Sequence, residues 1–112
     1  MADEYYFEEG CFITELYNSA DDPAVSIARA RVPVGVTTRW HVLSGIAERY
    51  LIESGEGEAW VGDAQPRQVQ AGATVTIAPG QRQRIRNLGE EDLVFLAVCT
   101  PRFVPQAYRD ED

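Results

Sequence analysis

Turn signals interrupt this chain at short intervals, and no segment between them carries a helical hydrophobic period. Clusters of glycine, proline, asparagine and aspartate recur roughly every 8–12 residues, a spacing typical of short strands joined by tight turns. The segments between the clusters are rich in β-branched and aromatic residues, as in CFITELY and DLVFLAVCT. This pattern predicts an all-β sandwich or barrel. At 112 residues the chain can close one hydrophobic core, so we expect one domain over residues 1–112.

Nine strands are expected between the turn clusters. They are Cys11 to Tyr17, Ala24 to Val32, Thr37 to Leu43, Ala47 to Glu53, Glu58 to Gly62, Arg67 to Ala71, Ala73 to Ile77, Arg82 to Arg86 and Asp92 to Thr100. Residues 1–10 form an expected N-terminal arm that docks its aromatic rings, and residues 101–112 form a C-terminal tail. The acidic end of that tail, Asp110 to Asp112, is expected to be frayed.

Composition excludes several classes of function. The net charge is −8, and all ten basic residues are arginine. A chain without lysine cannot form a Schiff base, anchor pyridoxal phosphate or supply a phosphate-loop lysine. An acidic protein also disfavours nucleic acid and anionic lipid as partners. With no long apolar run and no signal-peptide pattern, the expectation is a soluble, cytoplasmic protein that spans no membrane.

The two cysteines and the single histidine narrow the chemistry further. Cys11 and Cys99 lie in no CxxC or zinc-ligand spacing, so we expect two reduced, buried thiols. His41 is the only histidine, which rules out a mechanism with two histidines from one chain.

Two spaced motifs organise the middle of the chain. In the first, Gly35 is followed by five residues, His41, Val42 and Leu43, then by four residues, Glu48, six residues and Gly55. In the second, Gly72 precedes five residues and Ala78-Pro79-Gly80; two residues then lead to Gln83, and three more lead to Asn87. With these motifs the chain resembles the cupin superfamily. The family's first motif has a second histidine where Leu43 stands, and its second motif has a histidine where Gln83 stands.

The resemblance implies a double-stranded β-helix, the jelly-roll barrel of cupins. Cupins with a full ligand set hold a metal with three histidines and a glutamate, so the resemblance implies a metal site at His41, Glu48 and Gln83. Ligands this rich in oxygen favour Mn, Fe or Zn over Cu. In the alternative, the same three side chains hydrogen-bond each other inside the barrel and no metal is present.

Strand alternation predicts which side chains share a face with this site. The expected inward sets are Arg39, His41 and Leu43; Glu48, Tyr50 and Ile52; and Gln81, Gln83 and Ile85, while Arg82, Arg84 and Arg86 face outward. Within these sets, Glu48 and Tyr50 are candidate catalytic residues that move a proton. Arg39 and Gln81 are candidate substrate-binding residues. Arg39 is alternatively a buried partner of Glu48, and Tyr50 is alternatively a core residue with its hydroxyl satisfied.

Two functions remain open from the sequence. The first is a metal-dependent enzyme of isomerase, dioxygenase, cyclase or lyase type that acts on a small polar molecule. The second is a metal-free barrel that binds or senses a small ligand without catalysis.

The apolar strand Leu93 to Cys99 and the aromatic residues of the arm predict burial beyond one small barrel. We therefore expect a homodimer joined by sheet faces.

Overall fold

The computed structural model describes residues 3–112, so Met1 and Ala2 of the expected arm lie outside it. Its strands are β1 (Glu4–Phe7), β2 (Cys11–Ser19), β3 (Asp22–Val32), β4 (His41–Leu43), β5 (Ala47–Ser54), β6 (Glu56–Val61), β7 (Arg67–Gln70), β8 (Thr74–Ile77), β9 (Arg82–Asn87), β10 (Leu93–Thr100) and β11 (Tyr108–Asp110). One 3-10 turn, Pro105–Ala107, precedes β11. Within the described residues, no helix is long and apolar enough to cross a membrane.

The strands form two antiparallel sheets. The six-stranded sheet has the order β1-β2-β3-β10-β5-β8, and the five-stranded sheet has the order β11-β4-β9-β6-β7. A cluster of buried side chains from both sheets, including Tyr50, Ile77, Ile85 and Leu93, fills the space between them. The expected all-β double-stranded β-helix is confirmed.

Alternation along the two strands that matter most for the site follows the expected pattern. In β9, Gln83, Ile85 and Asn87 are buried, whereas Arg82 and Arg86 are exposed. In β5, Glu48, Tyr50 and Ile52 are the buried residues. Because successive side chains of a strand point to opposite faces, each of these strands delivers polar residues together with apolar ones to the interior.

The outward arginines stack on tryptophan. The guanidinium of Arg84 lies 4.4 Å from the ring centroid of Trp60 and 4.5 Å from that of Trp40, and Arg82 lies 4.3 Å from Trp40. Arg82 also approaches the exposed Asp63 at 3.6 Å. Cation–π contacts therefore accommodate the charges of Arg82 and Arg84 on the outer face.

Gly55, the last glycine of the first motif, is required where β5 turns into β6. Its φ is +89°, which side-chain-bearing residues rarely adopt. A Cβ at this position would lie 2.7 Å from the carbonyl oxygen of Asp92 and 2.9 Å from Cα of Leu93. The turn thus presses directly on the start of β10, and that contact fixes the hairpin against the six-stranded sheet.

The ends of the chain are more ordered than expected. Glu4–Phe7 pairs with β2 as a strand, and Tyr108–Asp110 pairs with β4. The expectation that Asp110 to Asp112 is frayed is wrong. The backbone of β4 offers hydrogen-bonding partners to β11, the N–H of Glu111 donates to the carbonyl of Trp40 at 2.8 Å, and Asp110 forms an ion pair with Arg39.

The strand expected over Thr37 to Leu43 is shorter in the structure, because only His41–Leu43 joins a ladder. Before it, the Thr38 N–H donates to the Ile85 carbonyl at 2.9 Å, while the Arg39 N–H donates to the Glu9 carbonyl at 2.7 Å. Consecutive residues thus bond to different parts of the molecule, so side-chain alternation does not extend back to Arg39.

Candidate functional site

The side chains of both motifs meet between the two sheets. His41 and Gln83 are register partners on β4 and β9 of the five-stranded sheet. Glu48 and Tyr50 project from β5 of the facing sheet, and all four are buried. The hydroxyl of Tyr50 donates to Oε1 of Gln83, so a hydrogen bond links the two sheets across the interior.

Glu48 is a buried carboxyl group with an incomplete set of partners. Its Oε2 accepts a weak hydrogen bond from the Cys99 thiol at 3.9 Å, and within residues 3–112 neither its Oε1 nor Nε2 of Gln83 has a hydrogen-bond partner. Burial, reinforced by the charge of Glu9, raises the pKa of Glu48 to about 8, although the Gln83 amide and the Cys99 thiol offset part of this effect. At neutral pH most of Glu48 is therefore the neutral acid, which can donate a proton.

The neighbours of His41 define which of its ring nitrogens carries a hydrogen. Its Nδ1 lies 2.9 Å from the carbonyl oxygen of Arg39, which only accepts, so Nδ1 carries a hydrogen. Its Nε2 lies 3.1 Å from Oε2 of Glu9, and this contact requires one proton between the two atoms. The Tyr108 ring stacks on the imidazole with centroids 5.3 Å apart and planes 20° apart.

Glu9 and Tyr108 were not expected at the site. Glu9 follows β1 and turns inward, where its Oε1 accepts from the Cys11 thiol at 3.4 Å and its side chain is only 15% exposed. No motif in the sequence distinguishes Glu9 from its neighbour Glu8, which is exposed. Tyr108 lies at the site only because β11 pairs with β4. The sequence of β11 carries no pattern that predicts a strand.

Two residues expected at the site lie elsewhere. Arg39, expected on the inward face with His41, is exposed and forms ion pairs with Asp110 at 2.9 Å and Asp112 at 3.6 Å. It is therefore not a buried partner of Glu48. Gln81 is also exposed, because it belongs to the turn before β9 and its Oε1 accepts from the Ala78 N–H at 2.8 Å. The proposed substrate-binding roles of both residues lose their geometric basis.

The two cysteines are unpaired and buried, and both belong to the six-stranded sheet, Cys11 on β2 and Cys99 on β10. Burial, followed by the nearby charge of Glu9, raises the pKa of the Cys11 thiol. Burial, followed by the charge of Glu48, raises that of Cys99. Neither thiol is a thiolate at neutral pH, so each acts as a weak hydrogen-bond donor to a carboxyl group.

An inner cavity of about 70 Å³ lies among these side chains. His41, Glu48, Tyr50, Glu9 and Tyr108 are among the residues that line it. Pockets for drug-sized ligands have volumes of about 300–1,000 Å³, so this cavity admits only a few atoms of a ligand. A larger molecule must place its remainder outside the cavity.

The donor set does not fit a metal ion in the arrangement that the structure shows. Gln83 Oε1 is taken by Tyr50 and His41 Nε2 by Glu9, while Leu43 supplies no ligand atom. Among residues 3–112, no group of three histidine, cysteine, aspartate or glutamate side chains could hold a metal. A metal at Glu48 would also have to displace the proton that this carboxyl group holds at neutral pH.

Solved structures share this fold at low sequence identity. A Streptomyces PAC13 variant with uridine has a TM-score of 0.82 and 17% identity, over 99% of this chain and 85% of that chain. The nucleoside dehydratase Pac13 has a TM-score of 0.81 and 17% identity, over 97% of this chain and 83% of that chain. A Lactobacillus farciminis oxalate decarboxylase with formate has a TM-score of 0.83 and 18% identity, over 98% of this chain but 33% of that chain.

Sequence comparison identifies the family. No curated protein matches the chain. The family model described as the cupin domain matches residues 28–99, which include both motifs and strands from both sheets. Well over half of the chain lies in this match, and the barrel has the cupin architecture. The chain therefore belongs to the cupin family.

Proposed function

We propose that this chain is a metal-independent cupin enzyme, which binds a small polar molecule and transfers a proton in a reaction of lyase or isomerase type. The observation that carries the proposal is the state of Glu48. It is mostly the neutral acid at neutral pH, its Oε1 has no partner in the part of the chain that the structure describes, and it lines the inner cavity together with His41. Perturbed acids that line a cavity are typical of catalytic sites.

Glu48 and His41 can take complementary roles. The carboxyl proton of Glu48 is available to an oxygen of the ligand that gains negative charge during the reaction. The Arg39 carbonyl keeps a hydrogen on Nδ1 of His41, so neutral His41 carries its lone pair on Nε2. A ligand that displaces Glu9 from Nε2, with the shared proton leaving on the Glu9 carboxyl group, would face this lone pair, and His41 then acts as the base. Tyr50 fixes Gln83 and thereby orients the amide beside Glu48.

The similarity to Pac13 supports the lyase branch of this proposal. Pac13 is a nucleoside dehydratase, and removal of water requires an acid at the departing oxygen and a base at the neighbouring hydrogen. The cavity of this chain holds one candidate for each role. The likeness in fold alone does not carry this activity over to the chain, because one fold hosts many reactions.

The two sequence-based alternatives make different predictions for the same site. A metal-dependent enzyme would hold Mn, Fe or Zn at His41, Glu48 and Gln83, which requires Tyr50 and Glu9 to release their partners. A binding or sensing barrel would retain its ligand without turnover. Metal analysis of protein purified without chelator, in the wild type and in His41→Ala, tests the first alternative. A stoichiometric metal lost in the variant would overturn the metal-independent proposal.

The titration of Glu48 tests the acid role directly. We expect the side-chain carboxyl of Glu48 to titrate near pH 8 in a 13C NMR experiment on chelator-treated protein, with its signal absent in Glu48→Gln. For any compound that the wild type converts, turnover should fall by about 10²-fold or more in Glu48→Gln. The exposed Glu56→Gln should leave turnover unchanged. Titration of Glu48 near its usual value of 4.5 would contradict the proposal.

We also propose that the chain forms a homodimer through the outer face of its six-stranded sheet. Leu96 and Val98 of β10 point outward and are only partly buried, although β10 was expected to be covered on both faces. Leu51 and Ile27 lie beside them in register on β5 and β3, and the other register partners of Leu96 and Val98 are Arg29 and Arg49. A partly exposed apolar patch bordered by charged residues is typical of surfaces that pair with another copy.

A further inference from the structure

A second hollow, the outer groove, adjoins the inner cavity beside β2 and residues 102–108. Its volume of about 380 Å³ is that of a small-molecule site. Four aromatic side chains line both hollows and form what we term the aromatic cluster: Tyr5, Phe7, Phe103 and Tyr108. None of the four is buried, and Tyr5 is 47% exposed. A molecule in these hollows can therefore contact the rings directly.

Acidic side chains outnumber basic ones around the aromatic cluster. The described residues with carboxyl, imidazole or guanidinium groups that line the two hollows are Glu8, Glu9, Glu15, His41, Glu48 and Arg102. His41 contacts Glu9 at 3.1 Å with one proton between them, and Glu48 is mostly neutral at neutral pH. The carboxylates of Glu8 and Glu15 then outweigh Arg102, in a chain whose net charge is −8. The lining of the two hollows therefore favours a positively charged ligand.

The two tyrosines of the aromatic cluster report the same sign of potential. Burial raises the pKa of Tyr5 and of Tyr108, and nearby acids raise the pKa of both further. Among these acids, Glu15 acts most strongly on Tyr5, and Glu9 acts most strongly on Tyr108. A bound anion would meet the same repulsion, whereas a cation would be attracted both to the acids and to the negative faces of the rings.

The contacts of Glu9 indicate which kind of cation fits. Its Oε2 lies 3.1 Å from Nε2 of His41, and its Oε1 accepts from the Cys11 thiol at 3.4 Å, so both oxygens already have a partner. A primary ammonium needs acceptors for its N–H groups, and it would have to compete with these contacts after it left water. A methylated ammonium has no such requirement and is the cation that aromatic side chains bind best.

We propose that the aromatic cluster binds the methylated ammonium head of a small organic cation. The head lies among the four rings, and the surrounding carboxyl groups balance its charge. The inference rests on the proposed function in one respect, because it takes the cation to be part of the molecule whose reacting atoms reach Glu48 and His41. Binding of the head itself requires no proton transfer.

Calorimetric titration with choline and its neutral analogue 3,3-dimethylbutan-1-ol tests the need for positive charge. The two molecules have the same shape, but a carbon replaces the nitrogen in the analogue. We expect choline to bind to the intact protein and the analogue to bind about tenfold more weakly, because it lacks the attraction to the ring faces. Ethanolamine, whose ammonium group carries N–H donors, should also bind more weakly than choline. Equal binding of choline and the analogue, or no binding of choline at millimolar concentration, would overturn the inference.

Phosphocholine separates a simple cation from a phosphate-bearing head group. It has the same ammonium head as choline, but its phosphate adds negative charge among acidic side chains. We therefore expect phosphocholine to bind more weakly than choline. Tighter binding of phosphocholine would refute the assignment of a simple cation.

Neighbouring tyrosines provide a matched pair of variants. Tyr5 and Tyr6 are both exposed on β1, but only Tyr5 lines the two hollows. We expect choline binding to weaken about threefold or more in Tyr5→Leu and to stay unchanged in Tyr6→Leu. Tyr108→Phe keeps its ring and should bind choline within about twofold of the wild type, whereas Tyr108→Leu should bind about tenfold more weakly. Wild-type affinity in Tyr5→Leu would contradict the assignment even if Tyr108→Leu failed to fold.

The Glu48→Gln variant distinguishes this inference from the proposed function. It should bind choline within about threefold of the wild type, since Glu48 is already mostly neutral at neutral pH. If choline binds as expected while Glu48 titrates near 4.5, the cation site stands and the acid role falls. If Glu48 titrates near 8 and choline does not bind, the acid role stands and the cation site falls.

Discussion

Glu48 couples the stability of the barrel to pH. Its pKa is raised to about 8 in the folded state, from a usual value of 4.5, chiefly by burial. Between these two values the folded chain binds a proton that the unfolded chain has lost, so folding becomes less favourable as the pH rises. The contribution of Glu48 is fully present below about pH 4.5 and is lost as the pH approaches 8.

We therefore expect Glu48→Gln to remove a pH dependence that the wild type shows. Relative to the variant, the wild type should lose on the order of 3 kcal/mol in free energy of unfolding between pH 5 and pH 8. Urea denaturation of both proteins across this range measures the difference. Glu56→Gln, at an exposed position, serves as the control and should follow the wild type. Parallel pH profiles for the wild type and Glu48→Gln would show that Glu48 does not carry the shifted proton.

At the residue scale, motif spacing predicted some positions and missed others for a physical reason. Glu48 and Gln83 lie inside because each sits on a strand whose alternation is continuous, whereas His41 belongs to β4, in which all three residues are buried. Arg39 and Gln81 lie just outside those strands, where the backbone turns to other partners and alternation fails. Glu9 reaches His41 through a long-range contact that no local pattern encodes.

At the element scale, the glycine turns fix how strands stack, and Gly55 provides the sharpest test. Gly55→Ala adds a Cβ against the backbone of Asp92 and Leu93 and also forces alanine into positive φ. Gly72→Ala forces a similar φ, but its Cβ would meet no atom within 4 Å. We expect a loss of about 1 kcal/mol for Gly72→Ala from the backbone alone, and about 3 kcal/mol or more for Gly55→Ala. Thermal unfolding of both variants measures this gap, and similar losses would show that the contact with Asp92 and Leu93 relaxes easily.

Most strands were predictable, including the edge strands β7 and β8, whereas the two terminal edge strands, β1 and β11, were not. Strands such as β5, β9 and β10 carry β-branched residues or clear alternation between turn signals. By contrast, β1 and β11 are short and rich in charged and tyrosine residues, and they are ordered by pairing with β2 and β4. These two strands gain their order from their partners, so composition alone gives no sign of them.

At the scale of the whole molecule, the first and last strands determine access to the site. The segment around β1 brings Glu9 to His41, and the segment around β11 stacks Tyr108 on the same imidazole. The ring of Phe7 also meets Tyr108 edge to face, with centroids 5.0 Å apart. A ligand that reaches His41 in the inner cavity therefore meets side chains from both terminal segments of the chain.

The outer face of the six-stranded sheet decides whether the barrel acts alone or in pairs. Leu96 points outward at the centre of this face, so a two-fold dimer would bring its two copies close together. We expect the wild type to be a dimer at micromolar concentration by light scattering. Leu96→Glu should be monomeric, because it places two like charges in an apolar contact, yet it should fold since Leu96 lies outside the core cluster. Leu88→Glu is the matched control, because Leu88 is 40% exposed and lies beyond β9, away from this face. A monomeric wild type, or dissociation of both variants alike, would contradict pairing through this sheet.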